Sequence, residues 1–320
     1  MSTKRIAIIR SAVASLSSVG LIDFFRENDI EVIGTDITDQ AVGKYVVDKF
    51  YLVPPALERE KMFRRYVDIV RKHHVRTILS GPEEEIFALS TYQDEFQKAG
   101  AFVLHPPAES LEIIGDKWRA YQILSPLGIN MPHTRVLENV KRLKPGKQFI
   151  IKPKKGRGSR DVFRVDHKSF ARQSDQLLAG KFLVQDFMDG CEVSVDVLYN
   201  RQGRLLNMVA RKRLKTDSGI CIIGQTTPAK PFVQVIEKLS DRVKMIGGAC
   251  FQFIEQGGQY YLTDINPRLG GGVNLSLQAS PLFRKNLLAL LRGNPPVMAA
   301  DYGKYKTMSM FRYYNEIYRP

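Results

Sequence analysis

The segment Ile150-Ile-Lys-Pro-Lys-Lys-Gly-Arg-Gly-Ser159 has the make-up of a phosphate cradle. A short apolar run ends in Lys152, and a loop with Gly156, Gly158 and Ser159 follows, with four further cations between Lys154 and Arg160. Glycines let successive backbone N–H groups converge on phosphate oxygens, and a lysine at a strand edge adds a point charge. A solvated basic hairpin has the same composition. Further on, Phe182-Leu-Val-Gln-Asp-Phe-Met-Asp-Gly-Cys-Glu192 runs an apolar strand into a short connector. The backbone of Gln185, Asp186, Phe187 and Met188 can hydrogen-bond a purine edge, and Glu192 can accept from ribose hydroxyls, although an ordinary hairpin reads alike.

A third group spans Gln252 and Thr263-Asp-Ile-Asn-Pro-Arg-Leu-Gly-Gly-Gly272. If these stretches pair as strands, Gln252, Asp264 and Asn266 share one face, because residues two apart on a strand point the same way. Such oxygen donors suit Mg²⁺ shared with substrate phosphates, and Arg268 follows with a fork that fits a phosphate or carboxylate. Gly270 to Gly272, with Asn274 and Ser276, are candidates for an anion nest. A plain turn would also favour Asp, Asn, Pro and Gly here.

These residues need elements to hold them. Residues 4–9, 30–36 and 75–80 read as strands, with helical patterns over 20–26 and around Phe63, Tyr66, Val67 and Val70 between them. Strands alternating with helices imply a parallel sheet. His105-Pro106-Pro107 closes this unit, with a boundary near 108. Leu111, Ile114, Trp118, Tyr121 and Leu124 predict one helix ending at Ser125-Pro126. Strands are expected at 149–152, 161–165, 182–185, 192–198, 249–253 and 260–265, and the Tyr- and Met-rich tail from Met308 to Tyr318 predicts a closing strand. The domains expected are 1–108, 109–182 and 183–320. The first turn, Arg10-Ser-Ala-Val-Ala-Ser15, lacks the Gly-x-Gly-x-x-Gly of dinucleotide folds, so the first unit is Rossmann-like in shape only, despite Asp36 at the end of its second strand.

The 320 residues carry a formal charge of +15 with 44% hydrophobic content and a mean hydropathy of −0.21, which excludes a disordered chain. No apolar run approaches the ~18 residues of a membrane span, and the N-terminus has too few apolar residues for a signal peptide, so a cytoplasmic chain is expected. Cys191, Cys221 and Cys250 stand far apart and suggest neither zinc nor disulfides. Thirteen cations and three carboxylates fall between Lys141 and Lys181. Aromatic residues are sparse there, which disfavours a nucleic-acid surface and leaves small anions as the partner.

In combination these motifs resemble the ATP-grasp superfamily of ATP-dependent ligases, in the branch related to the carbamoyl phosphate synthase large chain. The resemblance also takes in Val32-Ile-Gly-Thr-Asp36, Asp48-Lys-Phe-Tyr-Leu-Val53 and Gly115-Asp-Lys117. It implies an α/β fold, a Rossmann-like pre-ATP-grasp domain followed by two α+β subdomains clasping ATP. Lys117 and Lys152 would hold the α- and β-phosphates, and Gly156, Gly158 and Ser159 would close over the triphosphate. Gln185 to Met188 would bind adenine and Glu192 ribose. Gln252, Asp264 and Asn266 would hold Mg²⁺ or Mn²⁺, and Arg268 would lie near the transferred phosphoryl group with Lys152 as its catalytic companion. Arg211 and Arg213 fall where such proteins keep phosphate- or substrate-facing cations, and Glu83, in Ser80-Gly-Pro-Glu-Glu-Glu85, sits in a loop that would face the cleft or simply opens a helix. Three positions depart from the pattern: Asp161 replaces a common glycine, Asp264 a glutamate one methylene longer, and Gln252 a carboxylate in many members. The implied reaction joins a small carboxylate to an amine or thiol through an acyl phosphate, releasing ADP and phosphate, in a chain that would act as a monomer or homodimer. A catalytically weak ATP-binding regulator of the same fold is the alternative.

Overall fold

A computed structural model describes residues 5–156, 161–174, 177, 180–217 and 219–319. Five strands, β1 (Ile6–Ser11), β2 (Ile30–Asp36), β3 (Lys49–Leu52), β4 (Thr77–Leu79) and β5 (Phe102–Val103), form a parallel sheet in the order β3-β2-β1-β4-β5. The apolar run of β1 is buried on both faces, as parallel strands between helices require. One face packs α2 (Arg59–His73), α3 (Glu83–Ser90) and α4 (Gln93–Lys98) around Ile9, Ile33, Tyr66 and Phe96; the other packs α1 (Leu16–Glu27).

The single helix expected around Leu111 to Leu124 is two, α5 (Ala108–Ile114) and α6 (Lys117–Leu124). The break has a local cause. Asp116 adopts an extended conformation and its Oδ1 accepts from the N–H groups of Trp118 and Arg119 at 2.9 and 3.2 Å, capping α6. Asp116→Ala is therefore expected to lower stability by about 1 kcal/mol, read as a lower urea midpoint.

A four-stranded antiparallel sheet follows, ordered β6-β9-β7-β8 from β6 (Thr134–Val136), β7 (Phe149–Pro153), β8 (Phe163–Val165) and β9 (Phe182–Asp186). With α7 (Phe170–Ser174) it encloses a small core of its own built on Leu137, Phe149, Ile151 and Val184. The third sheet is antiparallel with six strands, β14-β13-β10-β11-β12-β15. They are β10 (Cys191–Tyr199), β11 (Leu205–Asp217), β12 (Ile220–Thr227), β13 (Gly247–Gln256), β14 (Gln259–Asn266) and β15 (Ser309–Phe311). The strands at β11 and β12 have no counterpart among the expected ones. β15 pairs with β12 over only three residues, shorter than the expected closing strand, and beyond it Tyr313, Tyr314 and Tyr318 are exposed instead of alternating into a core.

Odd-numbered residues of β10, from Val193 to Tyr199, face α8 (Lys230–Arg242) and α6 in the largest core. The opposite face is apolar at Leu198, Leu206 and Val209. These pack against α1, β1, α9 (Val273–Ala279) and α10 (Pro281–Arg292), so the parallel sheet and the six-stranded sheet share one core. At their seam a Cβ on Gly247 would fall 2.4 Å from Leu104 O, and Gly247 has φ +74°, so two constraints demand glycine there. Among the described residues no helix is long and apolar enough to cross a membrane.

Candidate active site

The shared face of the six-stranded sheet is polar where it leaves that core. β13 and β14 pair antiparallel with Gln252 opposite Asp264 and Cys250 opposite Asn266, and β10 places Ser194 and Asp196 in the same rows. Arg211 of β11 lies opposite Ser194. Gln252, Asp264 and Asn266 therefore do share a face.

Above this face stands the four-stranded sheet. Phe149 and Ile151 of β7 enter its core, and Lys152 projects the other way, buried, with Nζ donating to Thr263 O at 3.3 Å on β14. Lys117, first residue of α6, donates from Nζ to Gly156 O at 2.8 Å and lies 3.6 Å from Asp264 Oδ1. Its backbone N–H donates to Lys154 O at 2.9 Å, tying α6 to the start of the basic loop. Gly156 has φ +149° and Asp161 φ +55°; the latter is left-handed backbone that aspartate tolerates better than most residues. Gly158 and Ser159 lie outside the described residues.

Lys117, Tyr121, Lys152, Gln185 and Asp264 line a hollow between the two sheets. Burial lowers the Lys152 pKa to about 8, partly opposed by Asp264 and reinforced by Lys117. Gln185 is buried with its Nε2 donating to Thr134 Oγ1 at 2.8 Å. In the connector the N–H groups of Asp186 and Phe187 already donate to His133 O and Gln148 O, and Met188 is half-buried. The Arg164 guanidinium stacks 3.8 Å from the Phe187 ring centroid. Glu192 does not stand free for a ribose: its Oε2 is 2.8 Å from Arg213 Nη1.

A second hollow adjoins the first along β14. Ser194, Arg211, Arg213, Gln252, Asn266, Arg268 and Gly270 to Gly272 line it. Arg211 is buried at 2% exposure and bidentate to Asp196, with Nε–Oδ2 2.8 Å and Nη2–Oδ1 3.2 Å. Burial opposes the guanidinium charge, but Asp196 more than offsets it and the pKa is raised. Ser276 donates to Asp196 Oδ2 at 2.7 Å, so this serine orients the carboxylate instead of facing an anion. A Cβ on Gly272 would lie 2.5 Å from Arg211 Nη1, which explains glycine there, whereas the nearest neighbour of a Cβ on Gly271 is 3.5 Å away on Ser17. Arg268 donates to Leu269 O and Asn266 Oδ1.

The parallel sheet closes the cleft from the side. Glu83 to Glu85 do open α3, and Glu83 also faces the site: its pKa is raised by burial and by the charge of Asp264, against the pull of Lys117 and Arg268. Glu85 is buried and accepts from Tyr66 OH. Asp36 holds the β1–α1 turn, accepting from the N–H groups of Ala14 and Ile37 at 2.8 Å each, a structural role in place of a ribose acid.

Four contributors escaped the sequence reading. His105 is buried and neutral, its pKa lowered to about 3 chiefly by burial. Its Nε2 accepts from Ser80 N–H at 2.8 Å, so Nδ1 donates to Pro267 O at 3.1 Å, clamping the parallel sheet to the loop before Arg268. Arg10, buried at the end of β1 with an unpartnered Nε, has its pKa lowered to about 10 by burial and by Arg268. Asp196 carried a signal, a carboxylate two residues from Ser194 among valines, whereas Arg312 lay in an aromatic tail without one. The three cysteines are free; Cys221 and Cys250 are buried.

Behind this cleft stands the Rossmann-like parallel sheet of an α/β protein, and residues 114–272 match the family model of the ATP-grasp domain, so this part of the chain is an ATP-grasp domain. Residues 13–104 match the PylC-like N-terminal domain. The chain is 22% identical over 271 residues to a carbamoyl-phosphate synthase of Methanobrevibacter smithii, covering 78% of this chain and 71% of that protein. It is 23% identical over 265 residues to an uncharacterized protein of Methanocaldococcus jannaschii, covering 77% of this chain and 64% of that one. Among solved structures, N5-carboxyaminoimidazole synthetase from Staphylococcus aureus complexed with ADP matches at TM-score 0.70 and 13% identity, over 92% of this chain and 80% of that one. L-amino acid ligase from Bacillus licheniformis matches at TM-score 0.70 and 14% identity, over 96% and 78%. At such identities these likenesses establish the fold.

Proposed function

We propose that the chain is an ATP-dependent ligase that activates a small carboxylate and transfers it to an amine or thiol. The observation that carries this reading is convergence: Lys117 from α6, Lys152 from β7 and Asp264 from β14 meet in one cleft, beside a hollow lined by arginines. A solved relative of this fold, the biotin carboxylase domain of Hydrogenobacter thermophilus 2-oxoglutarate carboxylase, was crystallised with MgADP and bicarbonate. That pairing of a nucleotide with a small carboxylate-like anion supports the same division of labour here.

In this reading Lys117 and Lys152 bind the triphosphate, and the Gln185–Met188 connector receives the adenine. The Asp264, Asn266 and Gln252 oxygens would suit a hard divalent cation that takes its remaining ligands from phosphate and water, since only Asp264 of the three is a carboxylate. When bound, Mg²⁺ would neutralise phosphate charge. A substrate carboxylate oxygen attacks the γ-phosphorus, the bond to the β-phosphate bridging oxygen breaks, and ADP leaves. The nucleophile then attacks the acyl carbon, forming the new bond and losing its proton as phosphate departs. Arg268 lies where it would steady the transferred group.

Incubation with Mg-ATP and pooled amino and hydroxy acids, scoring ADP, AMP and the mass of any conjugate, tests this. ADP with a conjugate is expected; AMP as the nucleotide product, or no turnover with ATP bound, overturns it. The second of these outcomes is that of the regulator, which the single metal-facing carboxylate and the Glu192–Arg213 pair favour.

A further inference from the structure

The second hollow holds more positive charge than its own carboxylates balance. Arg211, Arg213 and Arg268 line it, and Arg312, just beyond β15, donates from Nη2 to Gly271 O at 2.6 Å on its wall. Against these guanidinium groups stand two ion-paired carboxylates, Asp196 on Arg211 and Glu192 on Arg213, with Glu83 attracted toward Arg268 from the parallel-sheet side. Arg268 and Arg312 form no ion pair among the described residues. Their donors rest on Leu269 O, Asn266 Oδ1 and Gly271 O, neutral acceptors all. Lys117 and Lys152 line the other hollow, so these arginines are not needed to neutralise the α- and β-phosphates. Unbalanced charge in a half-buried cavity is costly until an anion completes it.

The two arginines without an ion pair approach one short loop from separate parts of the chain. Arg268 precedes Gly270–Gly272 in sequence, while the tail brings Arg312 onto Gly271, near enough to Arg211 for repulsion to help burial lower the Arg312 pKa. We infer that the carboxylate substrate is a dicarboxylate, with or without an α-amino group: one carboxylate lies at Arg268 beside the triphosphate, and the second is held by Arg312 with Arg211. This rests on the ligase reading for the identity of the activated group, and on charge alone for the binding site.

Isothermal titration of the full chain with Mg-ADP present, using acid and amide pairs of matched shape (L-aspartate and L-asparagine, L-glutamate and L-glutamine, succinate and succinamate), reads the second carboxylate directly. In at least one pair the acid should bind ~10-fold or more tightly than the amide, the scale of a charge-assisted contact. Arg312→Gln should collapse that ratio, and Arg312→Lys should restore part of it. Equal affinities in every pair, no binding by any acid at millimolar concentration, or a ratio untouched by Arg312→Gln overturns the inference. ADP release with the preferred acid and pooled amines separates the two ideas: binding without ADP release defeats the ligase reading alone, whereas ADP release with no preference for acid over amide defeats the dicarboxylate site alone.

Discussion

Replacing Lys152 with methionine is expected to lower ATP consumption by roughly 10²–10³-fold, the scale of losing one electrostatic stabiliser in a water-poor site. The same change should make the unliganded protein more resistant to urea, because burial of this ammonium is unfavourable: its pKa falls from 10.5 to about 8. The sign follows from proton counting. Between pH 8 and 10.5 the unfolded chain binds more protons at this lysine than the folded one, so its contribution to stability becomes less unfavourable as pH rises through that window. The stability gain of Lys152→Met should therefore be largest below pH 8 and vanish near pH 10.5. In the wild type, kcat/KM for ATP should decline above about pH 8 as the free protein loses this charge. Urea midpoints at several pH values and initial rates of ADP release check both halves; unchanged turnover in the variant removes Lys152 from the chemistry.

Asp196→Ala should be the most destabilising single change at the site, by ~3–5 kcal/mol, because it leaves the Arg211 guanidinium buried without its partner. Ser276 and Cys250 also meet this pair, and neither can replace a carboxylate. Removing both charges in Asp196→Leu with Arg211→Met should recover most of the loss, since apolar groups of similar volume often substitute for a buried pair at little cost. Denaturation midpoints of the three proteins decide it, and an Asp196→Ala variant as stable as the wild type would show that the pair is not held in isolation from water.

The parts of the site that lie close in sequence, or follow the period of a strand, were readable. Asp264 and Asn266 are two residues apart, and Lys152 ends an apolar run, so residue type and spacing made them candidates, and the ATP-grasp resemblance set them apart from a plain turn and a basic hairpin. What the sequence could not supply was register. Arg211 and Asp196 are fifteen residues apart and meet because β10 and β11 pair with Arg211 opposite Ser194. β11 was itself hard to see: its first half is buried on both faces and its last four residues, Leu214 to Asp217, are all exposed, so no alternation marks it. The helix break at Asp116 was hidden for the opposite reason, because α5 and α6 continue the same apolar spacing while the cap acts through the backbone. Arg312 joins the site through a tertiary contact with Gly271, which no local pattern encodes.

The common core of the parallel and six-stranded sheets has a mechanical corollary. With Leu104 wedged against Gly247, and Phe283 and Leu287 of α10 in the same packing cluster as Ile8 and Phe25, the parallel sheet cannot shift against the six-stranded sheet without opening a shared apolar interior. The middle sheet owns its small interior and bridges to β14 through the Lys152 to Thr263 hydrogen bond, so displacing it would break that bond while leaving the common core closed.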